Sequence, residues 1–183
     1  MRDLTFSMSV SADGFVAGPE GEIDWTAPDE ELHRFHNARI SELGAHLCGR
    51  RLYEEMLPWE TTDPGAPAVE REFAAIWQGL PKVVFSRTLD RVEGNATLAA
   101  AGLAETVAEL KAQPGGALEV GGAELAAEAN RLGLIDEYSL FVNPVVLGGG
   151  TPCFPPLDAR IPLALAETRT FGDRVVLLRY RRA

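Results

Sequence analysis

Apolar and polar residues alternate from the first strand-like segment onward: Leu4, Phe6, Met8 and Val10 interleave with Thr5, Ser7 and Ser9, the period-two pattern of a β-strand. "SADGFVAGPEGEIDW" is rich in Gly and Asp and reads as a long surface loop. After Pro28, "DEELHRFHNARISELG" opens with acids, repeats apolar residues at Leu32, Phe35, Ile40 and Leu43, and stops at Gly44. These are the start, face and stop signals of a helix. "AHLCG" predicts a short strand and "RRLYEEML" a helix up to Pro58. "AVEREFAAIWQGL" is a helix with Val69, Phe73, Ile76 and Trp77 on one side, and "KVVFS" is a buried strand. A further short strand falls near Thr97 to Ala99, "LAETVAELKAQ" is helical, "ALEV" is a strand, and "AELAAEANRLG" is a helix closed by Gly133. "DEYSLFVNPVVLGGG" predicts a longer strand running to the triple glycine. "LALAETRTF" and "RVVLLRYRR" form a hairpin around Gly172 and Asp173.

Strands that alternate with helices imply parallel pairing through crossover helices, and the closing hairpin adds antiparallel strands. The expected fold is a single α/β domain over residues 1–183, a three-layer sandwich with a mostly parallel central sheet. Composition agrees: 46% hydrophobic and 24% charged residues are the proportions of a globular chain. Lys and Arg number 17 against 27 Asp and Glu, a net charge of -10, which disfavours nucleic acid or an anionic membrane as partner. No apolar run approaches the roughly twenty residues of a membrane span, and the N-terminus lacks a signal-peptide core, so a cytoplasmic location is the default. Cys48 and Cys153 are too few for a disulfide framework and read as small buried hydrophobes.

Three strand ends carry anion-binding groups. In "EVGGAELAAE", Gly121 and Gly122 precede an amphipathic helix. Two readings stand for them: an ordinary tight turn, or a cradle where backbone amides and the helix dipole meet a phosphate. "CGRRLYEE" places Gly49, Arg50 and Arg51 at another strand-to-helix junction. Cations there oppose the helix dipole unless an anion lies between them. In "KVVFSRTL", Ser86 and Arg87 follow a buried strand, at the edge where open α/β sheets bind ligands. Together the three favour the cradle.

These segments, with "SADGFVAG…DW" and "DEYSLFVNPVVLGGGTPCF", resemble the dihydrofolate-reductase-like fold, nearest to the reductase domain of bacterial riboflavin-biosynthesis deaminase-reductases and their single-domain relatives. The resemblance implies an oxidoreductase that binds NADPH across the strand ends. It assigns Gly49, Arg50 and Arg51 to the adenosine phosphate, Ser86 and Arg87 to the 2′-phosphate, and Gly121, Gly122 and Ala123 to the pyrophosphate. Ser9, Val16 and Ala17 fall at the nicotinamide, and Asp13 and Gly14 shape the loop over it. Leu52 stands where folate reductases usually have Thr, and Glu124 where a basic residue is frequent.

By the same resemblance Glu31, beside Asp29 and Glu30, takes the place of the folate reductases' pterin-binding carboxylate, and Asp24 and Trp25 close the active-site loop against the substrate. "PDEEL" is equally an ordinary acidic helix start, and Trp25 equally a core anchor. His33, His36 and His46 lack a third ligand for zinc and read as surface or core residues. The absent deaminase signature separates the chain from the two-domain enzymes. Expected activities are reduction of a small heterocycle, similar to 5-amino-6-(5-phosphoribosylamino)uracil, or of dihydrofolate or another small molecule. A non-catalytic nucleotide-binding module is the alternative. The resemblance also implies a homodimer through the long strand and C-terminal hairpin.

Overall fold

Period-two alternation sends one side of the first strand, β1 (Leu4–Ser11), into an apolar cluster, while its hydroxyl-bearing residues take the other side. The computed structural model describes residues 1–157 and 159–183. Along the chain follow β2 (Phe15–Ala17), α1 (Glu30–Ser41), β3 (Ala45–Gly49), α2 (Arg50–Met56), α3 (Ala68–Gly79), β4 (Lys82–Phe85) and β5 (Ala96–Leu98). Then come α4 (Leu103–Ala112), β6 (Leu118–Gly121), α5 (Ala123–Arg131), β7 (Glu137–Asn143), β8 (Thr151–Pro152), β9 (Leu163–Phe171) and β10 (Val175–Arg182).

The main sheet has the order β5-β4-β3-β6-β1-β7-β10-β9. The six strands from β5 to β7 are parallel, and β10 runs antiparallel to both β7 and β9. This is the expected α/β sandwich with its antiparallel hairpin. On one face Leu103 and Val107 of α4 and Leu125, Ala126 and Ala129 of α5 pack against Leu4, Phe6, Leu47, Leu118, Val120 and Tyr138. Each large apolar side chain buried this way contributes on the order of 1.5–3 kcal/mol. Tyr138 hides its ring completely and donates its hydroxyl to Asn130 Oδ1 at 2.6 Å.

The opposite face is more polar. Leu32 of α1 joins Phe141, Phe171, Val175 and Leu177, while Phe73 and Trp77 of α3 pack with Leu80, Ile40 and Leu43. Beneath these helices lie buried and half-buried charges paired with acids. Lys82 Nζ donates to the Trp77 carbonyl at 2.6 Å and meets Glu60 Oε1 at 2.9 Å. Arg39 of α1 grips Glu119 of β6 with both terminal guanidinium nitrogens, leaving its buried Nε without a partner among the described residues. The acidic start of α1 is a cap: Asp29 Oδ1 accepts from Leu32 N at 2.9 Å.

Two expectations change. β7 ends at Asn143, well short of the triple glycine, because Pro144 has no N–H for the ladder. The loop after β1 is not structureless: β2 lies within it and pairs antiparallel with β8. Cys48 and Cys153 are both buried free thiols, as expected, and burial pushes both up to about 12.

Candidate functional site

Parallel pairing brings the C-terminal ends of β1, β6, β3 and β4 to one edge of the sheet, and the sequence loads that edge with turn and cation residues. At the end of β6, Gly121 is buried, and a Cβ on it would lie 2.6 Å from both His46 Cε1 and Leu52 Cδ2. Gly122 has φ +85°, a conformation that side chains other than hydrogen resist. Both glycines therefore have a local reason to be there. What they lead into is an α5 N-terminus that no side chain caps. The first-turn amides of Ala123, Glu124 and Leu125 are thus left for an outside acceptor.

One strand over, Gly49 caps α2 without a side-chain hydrogen bond, and Arg50 and Arg51 project from its first turn, both exposed. Arg50 Nη1 lies 3.6 Å from Glu54 Oε1, whereas Arg51 pairs with no carboxylate among the described residues. Beyond β4, Ser86 Oγ accepts from the amides of Thr88 and Leu89 at 3.1 and 3.0 Å. That turn presents Arg87 to solvent, again without an acidic partner among the described residues. The three predicted anion-binding groups therefore occupy neighbouring strand ends.

On β1, half-buried Ser9 pairs with Phe141. Val16 and Ala17 sit half-buried on β2. Asp13 lies in the loop after β1 and hydrogen-bonds to a distant segment of the chain. Its two carboxylate oxygens accept from Leu147 N at 3.1 Å and Gly148 N at 2.7 Å. Its hydrogen bonds, with Ser11 first and Gly148 next, hold its carboxyl at about 2. The acid thus ties the loop after β1 to the glycine-rich segment after β7. Cys153 N to Gly14 O at 2.9 Å and Ala12 N to Val145 O at 2.8 Å complete the stitching.

Glu31, exposed at the start of α1, lies 3.4 Å from Arg169 on β9, which is level with Ser9 through Leu177 and Phe141 and three strands from β1. Asp24 is exposed on a 3-10 turn (Asp24–Thr26), and half-buried Trp25 donates Nε1 to the Glu22 carbonyl at 3.3 Å, outside the apolar clusters. On α1, His36 meets the ring of Phe141, the β7 neighbour of Ser9, with centroids 4.5 Å apart. Burial, then Arg39 and His33, lower its pKa to about 3. Its signal in the sequence was its position four residues after Leu32 on the sheet-facing side of α1. Among the described residues no three His, Cys, Asp or Glu side chains converge as a metal site. A depression of about 420 Å³ between α1 and α3, lined by Arg34, Asn37 and Glu72 among others, contains none of the predicted residues.

The architecture and the chain have recognisable relatives. Over all of this chain the structure matches a putative riboflavin biosynthesis protein from Shewanella sp. PV-4, with a TM-score of 0.79, 23% identity and 99% coverage of that chain. It matches a diaminohydroxyphosphoribosylaminopyrimidine deaminase/5-amino-6-(5-phosphoribosylamino)uracil reductase from Thermotoga maritima with a TM-score of 0.71 and 15% identity, covering 57% of that longer chain. Dihydrofolate reductase from Enterococcus faecalis, complexed with NADP(H) and RAB-propyl, aligns with a TM-score of 0.63 and 16% identity over 98% of this chain and 96% of that one. The fold is therefore dihydrofolate-reductase-like. In sequence, the chain is 33% identical to the uncharacterized protein YyaP of Bacillus subtilis (strain 168), across 98% of this chain and 94% of that protein. It is 30% identical to the uncharacterized protein YwjB of the same organism, across 96% of each. The model of the RibD C-terminal domain matches residues 2–177, and the chain belongs to that family.

Proposed function

We propose that the chain is an NADPH-dependent reductase that adds hydride to a C=N or carbonyl-like carbon of a small heterocyclic substrate. The observation that carries this reading is the row of anion-binding groups on adjacent strand ends. It comprises the uncapped α5 N-terminus behind Gly121 and Gly122, the Arg50–Arg51 turn, and the Ser86–Arg87 turn. A dinucleotide's pyrophosphate suits the first, and its adenosine phosphate suits the arginines. The nicotinamide end then falls toward Ser9 on β1 and Val16 and Ala17 on β2, beside the loop that Asp13 ties to Leu147 and Gly148.

When bound, the reduced coenzyme supplies two electrons as hydride; the acceptor carbon takes it, and the neighbouring nitrogen or oxygen takes a proton from solvent. This chain's residues hold the phosphates, align the ring over β1 and limit water. The expected acid Glu31 stays exposed at the start of α1, 3.4 Å from Arg169.

Fluorescence titration with NADPH, followed by NADPH oxidation against pyrimidine, pterin and carbonyl acceptors, tests the proposal. Micromolar coenzyme binding with turnover of at least one acceptor is expected. Absence of coenzyme binding at millimolar NADPH refutes it.

Assembly as a homodimer belongs to the same reading. β9 is the outer edge of the sheet, and Leu163 and Leu165 are 38% and 61% exposed on it. Glu167 and Arg169 lie two residues apart, so a two-fold antiparallel pairing centred on Thr168 sets unlike charges opposite each other. Sedimentation at micromolar concentration should give a dimer, and a Leu165→Asp variant should be a monomer. Among the described residues no helix is long and apolar enough to cross a membrane; a cytoplasmic location is part of the proposal.

A further inference from the structure

Gly49 of β3 and Phe85 of β4 are partners in adjacent parallel strands, so Arg51 and Arg87 each stand two residues beyond one paired position. Neighbouring strands run about 4.8 Å apart. Both arginines are exposed and have no carboxylate partner among the described residues. Beyond the paired position the two segments part. One enters α2, and the other becomes the loop over residues 86–95 that leads to β5.

What ties that loop back to α2 is Tyr53. It stands on α2 two residues after Arg51, is 6% exposed, and its hydroxyl accepts from Glu93 N at 2.6 Å. Among the described residues this is the one hydrogen bond between α2 and the loop. The Tyr53 ring belongs to an apolar cluster with Cys48 and Val84, and Leu89 and Val92 of the loop pack against the same cluster. At the loop's start Ser86 Oγ accepts from Thr88 N and Leu89 N. Arg87 therefore rides on a segment pinned before it by β4 and Ser86, and after it by Leu89, Val92 and the Tyr53 hydroxyl. Two like charges repel, so the pair stays close only as far as the backbone holds it. A phosphate bridging them gains most when neither cation must first be carried into place.

We infer that Tyr53 is a positioning residue for coenzyme choice: its hydroxyl holds the Arg87 loop against α2, so that Arg51 and Arg87 together meet the 2′-phosphate that distinguishes NADPH from NADH. The inference rests on the reductase reading, which supplies the coenzyme. Tyr53 itself touches no ligand in this account and acts through Arg87.

The test titrates the full chain with NADPH and NADH and, to take the nicotinamide out of the comparison, with adenosine 2′,5′-bisphosphate and adenosine 5′-monophosphate. Tyr53→Phe keeps the ring and removes only the hydrogen bond. It should weaken NADPH and the bisphosphate by about three- to tenfold, and NADH and the monophosphate by about twofold at most. In an Arg87→Ala background the same change should raise the NADPH Kd no further, because the hydroxyl acts through that arginine. Thermal midpoints report whether each variant folds. Equal losses for NADPH and NADH, no loss for either, or full additivity with Arg87→Ala each overturn the inference. So does a parent protein that binds the two coenzymes equally, a result that leaves the reductase reading standing. A parent that binds neither coenzyme at millimolar concentration strikes the reductase reading itself, and the inference falls with it.

Discussion

Gly121 lies against the imidazole of His46: a Cβ on the glycine would stand 2.6 Å from His46 Cε1 and 2.8 Å from Nε2. The ring has little room to move. It is wedged against Trp77, with centroids 5.3 Å apart, and its Nε2 is 3.7 Å from Glu119 Oε1. Gly121→Ala should therefore destabilise the fold by about 1–3 kcal/mol, as overpacking of a filled interior does. Urea unfolding measures this. The double variant Gly121→Ala/His46→Ala should lose less than the sum of the two singles; strict additivity would show that the contact is not the cause.

Removing the exposed arginines tests the coenzyme edge without touching the core. Arg51→Ala and Arg87→Ala should each weaken NADPH binding by roughly five- to twentyfold, and NADH binding much less. Arg50, which already faces Glu54 at 3.6 Å, should matter less than Arg51. The loss should shrink as salt rises, because these side chains are exposed. Variants that bind NADPH as tightly as the parent would remove the strand ends as the coenzyme site.

Asp13→Ala should loosen the glycine-rich segment. The amides of Leu147 and Gly148 lose their acceptor, so hydrogen exchange at these two positions should speed up severalfold or more, while β1 and β7 stay protected. Because the Asp13 carboxyl is held near 2, its folded-state pKa lies below the ordinary value. Its contribution is therefore complete above that ordinary value and fades as the pH falls through about 2. Protection of the two amides in the parent should accordingly persist at pH 4. Identical exchange in parent and variant would show that the acid anchors nothing.

Two histidines make stability fall in mild acid. His36, facing Phe141, Arg39 and His33, is lowered to about 3 by burial, then by Arg39. His46, facing Glu119, Arg39, Lys82 and Trp77, is also lowered, mainly by burial. Both bind protons more readily when unfolded, so stability is full above about pH 6.5 and declines as pH drops toward 3. Each contributes a slope of at most about 1.4 kcal/mol per pH unit. A His36→Phe variant should show a shallower decline between pH 6 and 4. An unchanged slope would mean that His36 is already charged in the fold.

Much of this architecture is readable from local pattern. β1, the helix starts and the C-terminal hairpin declare themselves through periodicity, acidic caps and a Gly–Asp turn. So do the three strand ends, because Gly and Arg at strand-to-helix junctions are locally anomalous. What escapes is non-local. Pairing of the three-residue β2 with the two-residue β8 depends on contacts more than 130 positions apart, and no short window encodes it. Glu31 illustrates the same limit: its acidic neighbourhood points to a helix start or to a ligand, and only packing reveals Arg169 as its partner. His36 was hidden because a histidine among apolar neighbours looks the same whether it closes a core or lines a crevice.

The link between Asp13 and the amides of Leu147 and Gly148 has a mechanical consequence. Two chain segments far apart in sequence are clamped into a single rim, so neither is free to swing alone. A guest entering above β1 must either fit beneath the rim as it stands or lift both segments together. The speed of entry and exit would then be governed by these shared links rather than by the glycines alone.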